Sequence, residues 1–249
     1  MTKDCMTEHK DQTIVLYYAP DNASLIVRLL LEELGLPYET VLVDRSVNAQ
    51  KLTEYRRLNP AGQIPVCIID GEPVFETAAI LLSLADRHDR FSINVSDALR
   101  PPFLKWLFFL SNSLHVDLRQ RFYPEKYTGD DEPALRAFSE ITLQRLIERF
   151  GIFDSLYCRS SDPYVFGVEP TIIDMYLSVC FRWAQLYPLK GQGNSREPDF
   201  PAVDFKGVKK MVQHLEQRPA IRRACEIEGI TGRLFSDPTY ADPPEGVAL

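Results

Sequence analysis

Residues 59–75 read NPAGQIPVCIIDGEPVF, and this run sets the pattern of the N-terminal half. Asn59-Pro60 and Ala61-Gly62 end any helix that precedes them, because proline lacks a helical N–H and glycine disfavours the helix. Pro65 heads the apolar run Val66-Cys67-Ile68-Ile69, a place where a strand needs no ladder donor. Asp70-Gly71 matches a two-residue hairpin turn, and Pro73-Val74-Phe75 returns as the partner strand. Working outward, AQKLTEYRRL (49–58) and ETAAILLSLADR (76–87) are spaced as helices on either side. Farther upstream, TIVLYY (13–18) and YETVLVD (38–44) carry the β-branched and aromatic residues of strands. Between them Asp21, Asn22 and Ser24 offer capping oxygens to a helix through SLIVRLLLEEL, with Leu25, Leu29 and Leu36 at roughly helical spacing and Gly35 as its C-cap.

The resulting order is β-α-β-α-β-β-α, an α/β arrangement in which a mixed sheet carries helices on both faces, the layout of a thioredoxin-like domain. Strand signals stop after Asp89. Residues 97–122 place Leu104, Leu107, Phe108, Leu114 and Leu118 at helical spacings. Asp131-Glu132-Pro133 opens a second long helix, since proline suits a first helical turn. Pro170-Thr171 opens a third, TIIDMYLSVCFRWAQLY, apolar on most sides and therefore central. VDFKGVKKMVQHLEQ and PAIRRACEIEG read as two shorter surface helices, and 188–203 as a loop. The expected organisation is a flexible tail over 1–12, a thioredoxin-like domain over 13–89, an all-α domain over 97–231, and a C-terminal tail over 232–249.

With 249 residues, 45% of them hydrophobic, the chain holds enough apolar material for a sizeable core. A formal net charge of -7 argues against nucleic acid as a partner. No apolar run reaches membrane-spanning length, and the polar start MTKDCMTEHKDQT is unlike a signal peptide. Cys5, Cys67, Cys158, Cys180 and Cys225 are odd in number and scattered, without the spacing of a metal or redox pair, as expected in a reducing cytoplasm. No metal is expected.

Three places carry chemistry or its scaffold. If the Ile64-Pro65 bond is cis, the backbone of Ile64 faces outward to pair with an extended peptide. Glu76-Thr77 begins a helix whose free N–H groups receive a carboxylate, while the Glu76 side chain receives an ammonium, together the charges of an amino-acid head group. Thr171-Ile-Ile-Asp174 is a capping-box pattern, a folding element.

These three segments, in this order, resemble those of the glutathione transferases over about residues 13–230. LNPAGQIPV is similar to that family's cis-proline segment, ETAAIL to its γ-glutamyl-binding turn, and TIID to its buried capping box. APDNASL (19–25), Trp106-Leu107 with Leu114-His115, and TIIDMYLSVCFRWA (171–184) further resemble the bacterial beta class. The resemblance implies a thioredoxin-like domain plus an all-α domain, glutathione as co-substrate, a homodimer, and attack of the glutathione thiol on a hydrophobic electrophile. It places Gln63, Ile64, Pro65, Glu76, Thr77 and His115 at glutathione. Phe103, Trp106, Leu110, Arg182 and Trp183 would line the electrophile pocket. The beta class carries a cysteine where this chain has Ala23. Ser24, at the helix start, is then the expected thiol activator, with Tyr17, Tyr18 and Asn22 as alternative donors. Loss of that cysteine also leaves open a non-catalytic glutathione- or ligand-binding protein of the same fold.

Overall fold

The computed structural model describes residues 13–187 and 200–242. The sequence-based expectations for 1–12, 188–199 and 243–249 lie outside the described residues. Four strands, β1 (Ile14–Tyr18), β2 (Glu39–Leu42), β3 (Val66–Ile69) and β4 (Glu72–Phe75), form a mixed sheet in the order β2-β1-β3-β4. β1 runs parallel to β2 and antiparallel to β3, and β3 pairs antiparallel with β4 across the Asp70-Gly71 turn. Helices α1 (Ala23–Leu34), α2 (Thr53–Leu58) and α3 (Thr77–Arg87) complete this half. Gly35 ends α1 in the left-handed conformation that sequence expects of a glycine C-cap. The expected helix over 49–58 is split: a single 3₁₀ turn spans Ala49–Lys51, and α2 begins only at Thr53.

Strand alternation sorts the sheet's side chains. Ile14, Leu16, Cys67 and Ile69 join the large core beneath α1 and α3. Val66 meets Val43 and Tyr55 on the α2 side, with Tyr17, Ile64 and Ile68 packed against them.

The remaining chain is helical, as the apolar periodicity predicts: α4 (Arg100–Phe109), α5 (His115–Phe122), α6 (Glu125–Thr128), α7 (Glu132–Arg159), α8 (Ile172–Leu186), α9 (Lys206–Leu215) and α10 (Pro219–Ile227). One π-helical turn, Leu110–Leu114, joins α4 to α5 where sequence predicts one unbroken helix. Asp131 caps α7, accepting from Ala134 N at 3.0 Å. α8 is buried over every residue but Gln185 and packs against α1 of the first half. The capping box at its start is formed: Asp174 Oδ2 accepts from Thr171 N at 2.6 Å and from Thr171 Oγ1 at 2.9 Å, and Tyr157 Oη donates to Asp174 Oδ1 at 2.7 Å. Among the described residues no helix is long and apolar enough to cross a membrane.

Residues 232–242 do not hang free as a tail. Leu234, Phe235, Ser236 and Ala241 are buried. Glu216 takes the backbone N–H groups of Phe235 and Ser236 at 2.6 and 2.7 Å, and Arg182 donates to the carbonyls of Leu234 and Thr239 at 2.9 and 2.7 Å. The polar composition that reads as a tail instead supplies backbone groups that charged core side chains require.

The deepest of those charges join the two halves. Asp21, wholly buried between β1 and α1, accepts from Arg182 Nε at 2.9 Å and Nη2 at 2.8 Å, from Trp183 Nε1 at 3.0 Å and from Tyr187 Oη at 2.9 Å. Its own N–H donates to Glu228, which pairs with Arg28 at 2.8 Å. Removing one member of a buried pair strands the other, at a cost of about 3–5 kcal/mol. Arg182→Met is therefore expected to lose about that much stability in urea unfolding. A loss below about 1 kcal/mol would show that Asp21 tolerates isolation and that the pair is not a clasp.

Candidate functional site

A cavity of about 560 Å³ opens between the sheet half and the α4–α5 face. Its volume falls within the range that holds a drug-sized molecule. The loop 59–63 presents one wall. Gln63 O accepts from both Tyr55 Oη and Asn59 Nδ2 at 2.8 Å, and Asn59 Oδ1 takes Ala61 N at 3.0 Å. Gly62 sits at φ 61°, and a Cβ there would lie 2.9 Å from Gln50 O, so neither the conformation nor the space admits another residue. The loop thus delivers Gln63, Ile64 and Pro65 to the cavity. The Ile64-Pro65 bond is cis.

Glu76 and Thr77 line the same cavity at the N-terminus of α3. Glu76 holds φ 70°, a region that costs a non-glycine residue about 1–3 kcal/mol and that gathers at functional sites. Tyr176 lines the same cavity and places its hydroxyl 2.6 Å from His115 Nδ1, and Thr77 is buried at the start of α3. His115 also packs on Trp183, ring centroids 5.5 Å apart. Burial, and secondarily the charge of Arg119, push the His115 imidazole down to about 4, so it is neutral at physiological pH.

Asn22 lies beside Ala23 at the start of α1, and both line the cavity. Asn22 Oδ1 accepts from Ala23 N at 2.8 Å. That bond assigns the oxygen to the cap and leaves the Nδ2 amide as the donor. Ser24 is placed otherwise: it is fully buried, its Oγ donates to Ala19 O at 3.0 Å and accepts from Ala19 N at 3.2 Å, and it does not line the cavity. Tyr17 turns to the α2 side, edge-on to Tyr55, and Tyr18 lies under Arg28 with the guanidinium 4.6 Å from its ring centre. Neither reaches the cavity lining.

Of the residues expected to face an electrophile, Trp183 lines the cavity. Phe103, Leu110 and Arg182 are buried outside it, Arg182 spent on Asp21, and Trp106 packs on Phe109 and Phe153. The opposite wall comes from residues that the sequence reading did not place at a binding site: Phe108, Asn112, Val116, Arg119 and Phe122, joined by Tyr123. A signal in the spacing was present for two of them. From His115, steps of four and seven residues reach Arg119 and Phe122 on α5, whereas Phe108 and Asn112 lie before and within the π-helical turn, which shifts their phase. Arg45, Gln50 and Lys126 also line the cavity; Arg45 lies in the connection after β2, Gln50 in the 3₁₀ turn and Lys126 in the one-turn helix α6.

The cysteines at Cys67, Cys158, Cys180 and Cys225 are free, and none of them lines the cavity. Burial pushes the Cys67 thiol up to about 12. Among the described residues no cluster of three or more His, Cys, Asp or Glu is placed to hold a metal ion.

Residues 23–87 match the family model for the glutathione S-transferase N-terminal domain. A relative named glutathione S-transferase 2, from Schizosaccharomyces pombe, is 34% identical over 215 residues, covering 80% of this chain and 89% of its own. The disulfide-bond oxidoreductase YfcG of Escherichia coli is 27% identical over 219 residues, covering 85% of this chain and 94% of its own. Among solved structures, a glutathione transferase from Burkholderia graminis, with two glutathione molecules bound per subunit, superposes with a TM-score of 0.71 at 24% identity, covering 89% of this chain and 90% of its own.

The depressed His115 pKa has a thermodynamic consequence. An unfolded histidine takes up its proton near 6.5, whereas folded His115 resists it down to about 4. Between those values the unfolded state binds more protons, so His115 contributes stability above pH 6.5 that is lost as pH falls toward 4. His115→Asn is expected to flatten the decline in unfolding free energy between pH 6.5 and pH 4.5. Equal slopes in the two proteins would show that His115 titrates normally.

Proposed function

The chain belongs to the glutathione S-transferase family, and we propose that it binds glutathione in this cavity and uses the Asn22 amide to hold the thiol as thiolate for attack on an electrophile. The observation that carries the reading is that Asn22, Ile64 and the Glu76-Thr77 turn open onto one cavity from three separate elements. Each supplies a different partner that a γ-glutamyl tripeptide requires.

In this reading the γ-glutamyl carboxylate meets Thr77 and the N–H groups at the start of α3, where a helix end favours an anion. Glu76 takes the ammonium. The cysteinyl backbone pairs with the main chain of Ile64, and the glycyl carboxylate is met by Gln63, Gln50 and Arg45. The sulfur then reaches the start of α1, where it finds two aids, the Nδ2 amide of Asn22 and the positive end of the helix. An unperturbed thiol has a pKa near 8.5 and is mostly protonated at neutral pH. Lowering it by about two units takes about 2.7 kcal/mol, within reach of a hydrogen bond to a charged acceptor plus the helix terminus. The thiolate then forms a bond to the electrophilic atom, and its leaving group departs with the bonding electron pair.

Likeness to the bacterial beta class supports the placement of the sulfur beside Ala23, the position at which that class carries cysteine. Without a thiol there, a mixed disulfide with this residue is impossible, and donation from Asn22 is what the side chains at the helix start offer. Asn22 replaces Ser24 in that role because the serine hydroxyl is already engaged with Ala19.

Following the ultraviolet absorbance of bound glutathione thiolate against pH tests the assignment. Asn22→Ala is expected to raise the bound thiol pKa by about one unit or more and to lower kcat/KM by roughly tenfold to a hundredfold. Asn22→Asp keeps the helix cap but sets a negative charge at the sulfur, and should raise the pKa further. Ser24→Ala is expected to cost stability and leave the bound thiol pKa unchanged. A pKa that moves with Ser24 and not with Asn22 overturns the assignment, and a calorimetric titration without glutathione binding overturns the whole reading.

A further inference from the structure

The cavity carries more positive charge than one glutathione uses. Arg45, Arg119 and Lys126 all line it, and Arg45 and Lys126 meet at Tyr123. Arg45 Nη2 donates to Tyr123 Oη at 2.8 Å, and Lys126 Nζ lies 3.6 Å from the Tyr123 ring centre. Arg119 sits one turn before Tyr123, its carbonyl accepting Tyr123 N at 3.1 Å. Among the described residues, neither Arg119 nor Lys126 forms an ion pair with a carboxylate. The acids of the cavity lie elsewhere: Asp21 is consumed by Arg182, and Glu76 belongs to the turn at the start of α3. Like charges gathered at one wall repel, and an anion between them relieves that cost. Burial and then the charge of Arg119, with smaller contributions from Arg45 and Lys51, push the Lys126 ammonium down against the opposing pull of Glu125.

These cations come from different structural units. Arg45 follows β2 and lines the cavity together with Gln50 and Gln63, the groups assigned above to the glycyl carboxylate. Arg119 and Lys126 come from α5 and α6, beside Phe108, Val116 and Phe122. A cavity lined by apolar side chains together with these two cations suits a molecule with an apolar body and an anionic group.

We propose that the second substrate of this cavity is a carboxylate-bearing electrophile, its apolar body against Phe108, Val116 and Phe122 and its carboxylate held by Arg119 and Lys126. This rests on the glutathione reading given above and narrows its substrate class from hydrophobic electrophiles in general to anionic ones. Arg119 and Lys126 are thereby specificity-determining residues, acting on the part of the substrate remote from the sulfur.

The test uses two glutathione conjugates that differ only in this group, S-(4-carboxybenzyl)glutathione and S-benzylglutathione, titrated by calorimetry into the full chain at low salt. Both carry the glycyl carboxylate, so their affinity ratio isolates the added one. The carboxybenzyl conjugate is expected to bind about tenfold tighter, a ratio in reach of two partly exposed cations. Arg119→Gln with Lys126→Gln should bring the ratio to about one, and added salt should shrink it in the unaltered protein. Equal affinities in the unaltered protein, or a ratio that survives the double substitution, overturn the proposal. A double variant that weakens both conjugates equally shows that these cations hold glutathione's own carboxylate, which also overturns it. If neither conjugate binds at all, the glutathione reading itself falls, and this one falls with it.

Discussion

The buried pairing of Asp21 with Arg182 is the contact on which the rest of the site depends. Asp21 belongs to the turn between β1 and α1, and Arg182 lies 161 residues later on the buried helix α8. The pair is wholly enclosed, and two ions taken out of water are tolerated only when hydrogen bonds satisfy them nearly completely. Trp183, Tyr187, Leu234 and Thr239 complete that satisfaction. Asp21 accepts φ 47°, a left-handed conformation that aspartate tolerates better than most residues. The result is a turn that cannot shift without stranding charge. Asn22 is the next residue, so its amide is held where the helix α1 begins.

The same network shapes the cavity as well as anchoring it. Trp183 donates its indole N–H to both the carbonyl and the carboxylate of Asp21, while its ring packs on His115 and lines the cavity. His115 in turn meets the hydroxyl of Tyr176, also on α8, at 2.6 Å. The turn before α1 and His115 of α5, which face one cavity, are therefore tied to one buried helix by polar contacts. The π-helical turn between α4 and α5 resets the helical phase just ahead of His115. Turns of this kind are frequent where side chains must be re-aimed at functional sites. Phe108 stands before that turn and Val116, Arg119 and Phe122 after it, and all four line the cavity.

The elements whose side chains repeat with a clear period were legible in the sequence, and so were the ends that carry their own cap or turn. Gly35, Asp70-Gly71, Asp131 and Thr171 act locally, through conformations and caps that a few neighbouring residues determine. Gln63, Ile64, Glu76 and Thr77 were legible for a related reason, since each belongs to a short motif whose loop or helix start carries its own geometry. The choice between Ser24 and Asn22 was not. Both are good caps at the head of one helix, and only tertiary packing buries the Ser24 hydroxyl against Ala19 while leaving Asn22 in the cavity lining. Phe103 and Leu110 share helical spacing with true cavity residues, but spacing identifies a face without saying what that face meets. Asp21 with Arg182, and the charged core groups that hold 232–242, join residues distant in sequence, so no local pattern announces them.

A structure of the chain with glutathione bound tests the central claim most directly. The account predicts the sulfur within hydrogen-bond reach of Asn22 Nδ2 at the start of α1, the γ-glutamyl group against Glu76 and Thr77, and the cysteinyl backbone alongside Ile64. A sulfur resting near Tyr17 or Tyr18, with Asn22 turned away from it, would contradict the account.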